Sequence, residues 1–158
     1  MSRELITSWA DYQLAIDRLL AMAEHSIRIY DEDLLAMKLD TPARIDELKR
    51  LLHSGQRDAL HIAVRNAEPL RHQHPRLANL FSTYTHQISA QQTPDQLAHL
   101  RDAMLLVDGR HALIRFDRDQ ARSKLLIDEA DEIHPYANRF AEIWAEGGEP
   151  ATGSTLGL

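Results

Sequence analysis

Apolar residues recur along much of this chain three and four positions apart, the spacing of one helix face. Ser8, Thr41-Pro42 and Thr93-Pro94 are typical helix starts, because a hydroxyl group caps free backbone N–H groups and proline fits the first turn. The predicted helices cover 8–23, 41–55, 75–84, a short segment from Thr93 to Leu100, and a last segment from Asp131 or Pro135 to Glu146.

Shorter runs alternate between apolar and polar residues or are continuously apolar, which is typical of strands. The predicted strands cover 4–7, 27–30, 60–64, 103–107, 111–115 and 124–127, with 85–89 as a further candidate. Strands separated by helices favour parallel pairs, whereas consecutive strands favour antiparallel ones. The predicted fold class is therefore α/β (α+β-like), with a mixed sheet of about six strands flanked by helices.

The most specific local signal is Asp108-Gly109 between the apolar runs 103–107 and 111–115. This dipeptide predicts a type I′ hairpin, because both central residues of that turn need positive φ. A polar cluster, His99-x-Arg101-Asp102, leads into the hairpin. If the chain has a reactive site, we expect it in this stretch.

The order of a polar strand entry, V-D-G and a second apolar strand resembles the phospholipase D superfamily, whose signature is H-x-K-x-x-x-x-D. Aligning that signature on Asp108 places Arg101 where the family has its nucleophilic His and Ala103 where it has its phosphate-binding Lys. A guanidinium group can bind phosphate but is not a nucleophile. The segments HSIRIYDEDL and RFAEIW also resemble the family, so the likeness spans roughly residues 5–146 and implies a phospholipase D-like half-domain.

The candidate ligand-binding residues are those at or near this signature: Arg101, Asp108, His111 and Arg115. Strand alternation places His111 and Arg115 on one face, which is either part of a polar pocket or a solvated hairpin face. His99 and His111 are the alternative catalytic residues, for a nucleophile displaced from the family position.

Metal binding receives little support from the sequence. Asp31-Glu32-Asp33 follows a predicted strand, where carboxylates either hold a divalent cation or form an acidic loop. His72-x-His74 has no third ligand that the sequence can identify. Phospholipase D-type chemistry uses no metal, so the resemblance implies neither a metal nor another cofactor.

Composition narrows the class of protein. The chain has 158 residues, a net charge of −6 and no cysteine, which argues against broad nucleic-acid binding and excludes disulfides. Its first residues lack the apolar core of a signal peptide, and no apolar run is long enough for a membrane span. We expect a cytoplasmic protein with one domain over 1–146 and a disordered Gly/Ser/Thr/Pro-rich tail over 147–158.

In the phospholipase D superfamily two half-domains meet and share one site, so the resemblance implies a homodimer. Our hypothesis is a catalytically silent domain that acts as a binding or regulatory protein for a phosphate-bearing ligand or a protein partner. The alternative is a phosphodiesterase with a displaced active site that uses His99 or His111. A third reading, a response-regulator-like α/β domain, would require a sheet whose strands all run parallel.

Overall fold

The structure, a computed structural model, describes residues 1–151 and contains eight strands, five α-helices and a 3₁₀ helix over Asp95–Leu97. The strands are β1 (Ser2–Ile6), β2 (Ile27–Asp31), β3 (Leu60–Val64), β4 (Ile88–Gln92), β5 (Ala103–Val107), β6 (His111–Arg115), β7 (Ser123–Ile127) and β8 (Glu149–Pro150). The helices are α1 (Trp9–Met22), α2 (Pro42–Leu52), α3 (Glu68–His72), α4 (Pro75–Thr83) and α5 (Ala130–Ala145).

All eight strands form one mixed sheet in the order β1-β7-β6-β5-β2-β3-β4-β8. The β2–β3 and β3–β4 pairs are parallel, and every other neighbouring pair is antiparallel. The mixed α/β class is therefore confirmed, although the sheet has eight strands where about six were expected. The all-parallel sheet required by the response-regulator reading is contradicted by these pairings.

Two of the predicted helix starts form as the sequence indicates. The Ser8 hydroxyl accepts a hydrogen bond from the Asp11 N–H at 3.1 Å, and the Thr41 hydroxyl accepts one from the Arg44 N–H at 3.4 Å. Each bond satisfies a backbone donor that the first turn of a helix leaves free. These caps fix where α1 and α2 begin, and both helices pack against the same face of the sheet.

The predicted hairpin is also confirmed. Asp108 and Gly109 have φ values of 57° and 69°, as a type I′ turn requires. β5 and β6 pair in register from Val107–His111 to Ala103–Arg115. Both strands are buried along their whole length, because helices cover the sheet on its two faces.

The two faces are covered unequally. One face packs against α1, α2 and α4 through a large apolar cluster that includes Ile16, Leu48 and Leu77. The other packs against α5 through a smaller cluster that includes Phe140 and Ile143. A single long helix crosses this second face, so grooves remain beside it.

The short helix expected from Thr93 to Leu100 is wrong except for the 3₁₀ turn over Asp95–Leu97. Thr93 does not cap it, since within the described chain its buried hydroxyl has no hydrogen-bond partner; its N–H donates to Val64 O at 2.8 Å, which extends the bonding between β3 and β4. The strand expected over 85–89 instead covers Ile88–Gln92. A turn in which Tyr84 O accepts from the N–H groups of Gln87 and Ile88 occupies the first of those positions.

Residues 149–151 belong to the tail that the sequence predicts to be disordered, yet in the structure they lie along β4. Gln91 pairs with Pro150, and the Ala151 N–H donates to Ala90 O at 3.0 Å. Gly148 makes this approach possible: its φ is 145°, and a Cβ atom there would lie 1.9 Å from Gln92 O. The rest of the predicted tail, 152–158, lies outside the described residues.

Candidate ligand-binding cleft at one end of the sheet

The topology brings charged residues together at one end of the sheet. β2 and β3 end there, β5 begins there, and β6 ends there because it runs antiparallel to β5. A cleft of about 350 Å³ opens at this end, which we call the charged cleft. Its lining residues are Asp31, Glu32, Asp33, Leu35, Ala36, Arg115, Arg118 and Asp119.

A buried ion pair forms the floor of the charged cleft. Arg115 Nη2 donates to Asp31 Oδ1 at 2.6 Å, and both side chains are 1% exposed. Strand alternation directs both residues to the face beneath α1, where the rings of Tyr12 and Trp9 lie 5.1 and 5.5 Å from the guanidinium carbon. Burial raises the pKa of Asp31, while Arg115 acts in the opposite direction.

This ion pair is incompletely satisfied. Within the described chain, Asp31 Oδ2 and Arg115 Nε are buried and have no hydrogen-bond partner. Unpaired polar atoms in the interior are costly, and they are most often retained where a protein uses them or where water enters. The pair is therefore a buried structural element with two unsatisfied polar atoms directly beneath the cleft.

Glu32 holds two further arginines at the wall of the cleft. Its Oε1 accepts from Arg65 Nε at 3.0 Å and from Arg118 Nη1 at 2.8 Å. Burial opposes ionisation of Glu32, but the hydrogen bonds from these two guanidinium groups lower its pKa below the ordinary value. Arg65 also donates to the Asp102 carbonyl at 2.9 Å and lies over the Tyr30 ring, which fixes its position.

Arg101, the residue aligned with the family nucleophile, lies at the same end but on the surface. It donates to both carboxylate oxygens of Asp117, at 2.8 and 3.1 Å, and also to Asp119. The hydrogen bonds from Arg101 lower the pKa of Asp117 to about 2. A bidentate pair of this kind occupies the guanidinium edge that a phosphate would use.

The four candidate ligand-binding residues do not form one site. Arg115 lines the charged cleft and Arg101 lies on the surface at the same end of the sheet, whereas Asp108 and His111 lie at the far end of the hairpin. The Asp108 carboxylate accepts hydrogen bonds from the N–H groups of Glu24, His25 and Ser26 at 3.0, 2.7 and 2.9 Å. It therefore holds the chain that leads into β2.

His111 and His99, the alternative catalytic residues, lie apart from the cleft lining. His111 Nδ1 accepts from the Asp128 N–H at 2.9 Å, and burial lowers the pKa of its ring. Its strand face is buried beneath α1, which contradicts the expectation of a solvated hairpin face. His99 is exposed in the irregular segment before β5.

The sequence reasoning missed Glu32, Arg65 and Arg118 as parts of one network. Arg65 directly follows β3 as Glu32 follows the end of β2, so adjacent parallel strands bring the two together. The contact between Glu32 and Arg65 could therefore be predicted from the sequence by assuming that β2 and β3 are neighbouring parallel strands. The remaining motif, His72-x-His74, does not form a chelating pair: His74 is buried with Nδ1 2.9 Å from Pro69 O, whereas His72 is exposed beside Glu68.

Comparison with known proteins places the chain in a family. The model of a domain of unknown function, DUF7931, matches residues 9–152. The chain belongs to the DUF7931 family. The match covers all five helices of this DUF7931 domain and begins at the first residue of α1. Among curated proteins, none matches the chain.

Solved structures similar to this DUF7931 domain show its fold. One of them is Nuc from Salmonella typhimurium, a phospholipase D family member. The alignment includes 94% of this chain and 97% of Nuc, with a TM-score of 0.65 and 12% sequence identity. NucT from Helicobacter pylori gives a TM-score of 0.61 and 9% identity, with 92% of this chain and 96% of that one covered. The expected phospholipase D-like fold is therefore confirmed.

A third similar structure is that of TrmBL2, an archaeal chromatin protein described as showing a novel mode of DNA binding. The TM-score is 0.69 and the identity 13%, with 94% of the DUF7931 chain covered. The chain spans about half the length of TrmBL2, 54%. At this identity the likeness concerns the fold. Within residues 1–151, no helix combines the length and hydropathy that a bilayer crossing needs.

Proposed function

We propose that this chain is a catalytically silent phospholipase D-like domain that acts as a binding protein and pairs with a second copy of itself through the charged cleft. One observation carries the proposal: five arginines at this end of the sheet are held by carboxylates of the same chain. These arginines are Arg65, Arg101, Arg115, Arg118 and Arg139. The residues that line the cleft include no histidine.

Phosphodiester hydrolysis by the family mechanism needs a nucleophilic imidazole and free cations for the phosphate. Arg101 and Ala103 occupy the aligned positions, and neither side chain supplies a nucleophile. A phosphate would have to displace a carboxylate to reach Arg101 or Arg115. The lining of the cleft contains four carboxylates and two guanidinium groups, so it carries net negative charge; the carboxylates are those of Asp31, Glu32, Asp33 and Asp119. This charge disfavours a phosphate-bearing ligand.

Exposed apolar side chains at the same end support pairing with a second copy. Leu35 lines the cleft and is 44% exposed, and Phe116, which follows Arg115, is 45% exposed. Trp9, on α1 above Arg115, is 42% exposed. Clusters of large exposed apolar groups are typical of protein interfaces.

The first test is hydrolysis of bis(4-nitrophenyl) phosphate by the purified protein and by its His99→Ala and His111→Ala variants. We expect nitrophenolate release equal to the buffer blank for all three proteins, because the cleft lacks a nucleophile with free cations around it. Hydrolysis by the parent protein that one of the two substitutions abolishes would overturn the silent-domain proposal and establish a displaced active site.

The second test is the molar mass in solution, measured by light scattering during size-exclusion chromatography. We expect twice the chain mass of 18.0 kDa for the parent and a monomer for the Leu35→Ser/Phe116→Ser variant. Leu14→Ser is the matched control, because Leu14 is exposed on α1 but does not line the cleft. A monomeric parent, or a dimer that persists in the double variant, would contradict pairing through this surface.

A further inference from the structure

A second groove lies beside the C-terminal half of α5, at the opposite end of the sheet from the charged cleft. It has a volume of about 420 Å³, within the range of small-molecule sites. Arg28 and His61, near the starts of β2 and β3, form its polar side. Its apolar side consists of Leu106, Ala137, Phe140, Ala141, Trp144 and Ala145.

Aromatic rings pack against one another beside this groove. The His61 and Trp144 rings are stacked face to face, with centroids 4.2 Å apart and an interplanar angle of 3°, and the Phe140 ring lies 5.9 Å from Trp144. Burial, with a further contribution from the charge of Arg28, lowers the pKa of His61. At neutral pH the imidazole is therefore uncharged, and its stacking holds the indole of Trp144 in place at the groove.

Arg28 supplies the one permanent positive charge among the described residues that line the groove. Its Nη1 donates to the carbonyls of Ile27 and Asp58 at 3.1 and 2.8 Å, which holds the guanidinium in place. Within residues 1–151, Nε and Nη2 make no hydrogen bond with the chain. The Asp58 carboxylate lies 3.5 Å from His61 Nε2 with its side chain mostly exposed; it is not among the lining residues, but its negative charge acts on Arg28.

The groove fits a small molecule better than a peptide. β2, β3 and β5 are interior strands, so both edges of each are already paired and offer no backbone groups to an added strand. Alanine at 137, 141 and 145 gives the flank of α5 its depth. An apolar, partly aromatic side next to a fixed guanidinium is complementary to an apolar body that carries one carboxylate.

From this arrangement we infer a binding site for a small aromatic carboxylate, with its ring against the apolar side that includes Phe140 and Trp144 and its carboxylate on Arg28. The site goes beyond the proposed function, since it shares no lining residue with the charged cleft. It also gives α5 a second role, because the same helix that covers one sheet face would present the ligand wall.

The test uses 2-naphthoate and its uncharged analogue 2-naphthamide, titrated against Trp144 fluorescence in a Trp9→Phe background. We expect saturable quenching by both compounds, with tighter binding of naphthoate. Arg28→Met should weaken naphthoate binding about tenfold, the effect of losing one charge-assisted contact, and leave naphthamide binding unchanged. Ala141→Phe should fill the groove and abolish both signals.

Ala43→Phe is the matched control, because Ala43 is exposed on α2, away from the groove, and a Phe there should change neither titration. Circular dichroism melting of each variant establishes that it is folded. The inference is overturned if naphthoate gives no saturable quenching at millimolar concentration. It is equally overturned if Ala141→Phe binds as the parent does, or if Arg28→Met weakens the two compounds alike.

Discussion

Replacing Arg115 by methionine is expected to lower the free energy of unfolding by about 3–5 kcal/mol, because it leaves the Asp31 carboxylate buried without its cation. The loss should be measured by urea unfolding at neutral pH. Because Arg115 opposes the effect of burial on the pKa of Asp31, its removal should raise that pKa further. Protonation then removes the buried charge, so the loss should shrink as the pH falls into the mildly acidic range.

The double variant Asp31→Leu/Arg115→Met separates the cost of an unpaired charge from the cost of lost packing. With no charge left in the site, the double variant should recover most of the stability that the single variant loses, as exchanges of buried ion pairs for apolar groups commonly do. A single-variant loss below about 1 kcal/mol would show that water already solvates Asp31. A double variant no more stable than the single one would point to the rings of Trp9 and Tyr12 as the main partners of Arg115.

Replacing Asp108 by alanine is expected to cost about 3 kcal/mol of unfolding free energy. Its carboxylate accepts from three consecutive backbone N–H groups, those of Glu24, His25 and Ser26, and hydrogen bonds to a charged group are each worth about 1.5–3 kcal/mol before solvent exposure reduces them. The positive φ of Asp108 adds strain when alanine takes its place. Urea unfolding at neutral pH measures the total.

Asp108→Asn is the matched control for this position. Asparagine tolerates positive φ and keeps one acceptor oxygen, so the variant should lose less than half as much stability as Asp108→Ala. Equal losses in the two variants would mean that the charge of Asp108, rather than its geometry as an acceptor, holds the segment that leads into β2.

The features that the sequence predicted well depend on residues close together in the chain. Asp108-Gly109 forms its hairpin and Ser8 caps α1, because the turn and the cap are determined within a few residues. Thr93-Pro94 carries the same kind of signal and fails: the bond from the Thr93 N–H to Val64 O holds Thr93 beside β3, where its buried hydroxyl has no partner within the described chain. A partner brought by the tertiary fold overrides a local preference there.

The charged cleft could be predicted only in part. Placing Arg101 and Arg115 near the hairpin was possible, since both flank its strands. The partner of Arg115, however, is Asp31, 84 positions away, and the two meet because β5 lies between β2 and β6 with both neighbours antiparallel to it. Strand order of this kind is set by packing and cannot be inferred from periodicity. The sequence also predicts one site for Arg101, Asp108 and His111, because all three lie near the hairpin in the chain. In the structure Asp108 and His111 lie at the opposite end of the hairpin strands from Arg101.

The pairing of β1 with β7 has a consequence for how the chain folds as it is synthesised. Ser2 pairs with Ile127, so β1 is synthesised long before its partner strand and stays unpaired until most of the domain has emerged. Contacts between distant parts of a chain slow folding, and an unpaired strand edge is prone to bind other chains in the meantime. The four exposed residues Ser2–Leu5 include Arg3 and Glu4. Charged side chains on a strand that has not yet paired discourage such association.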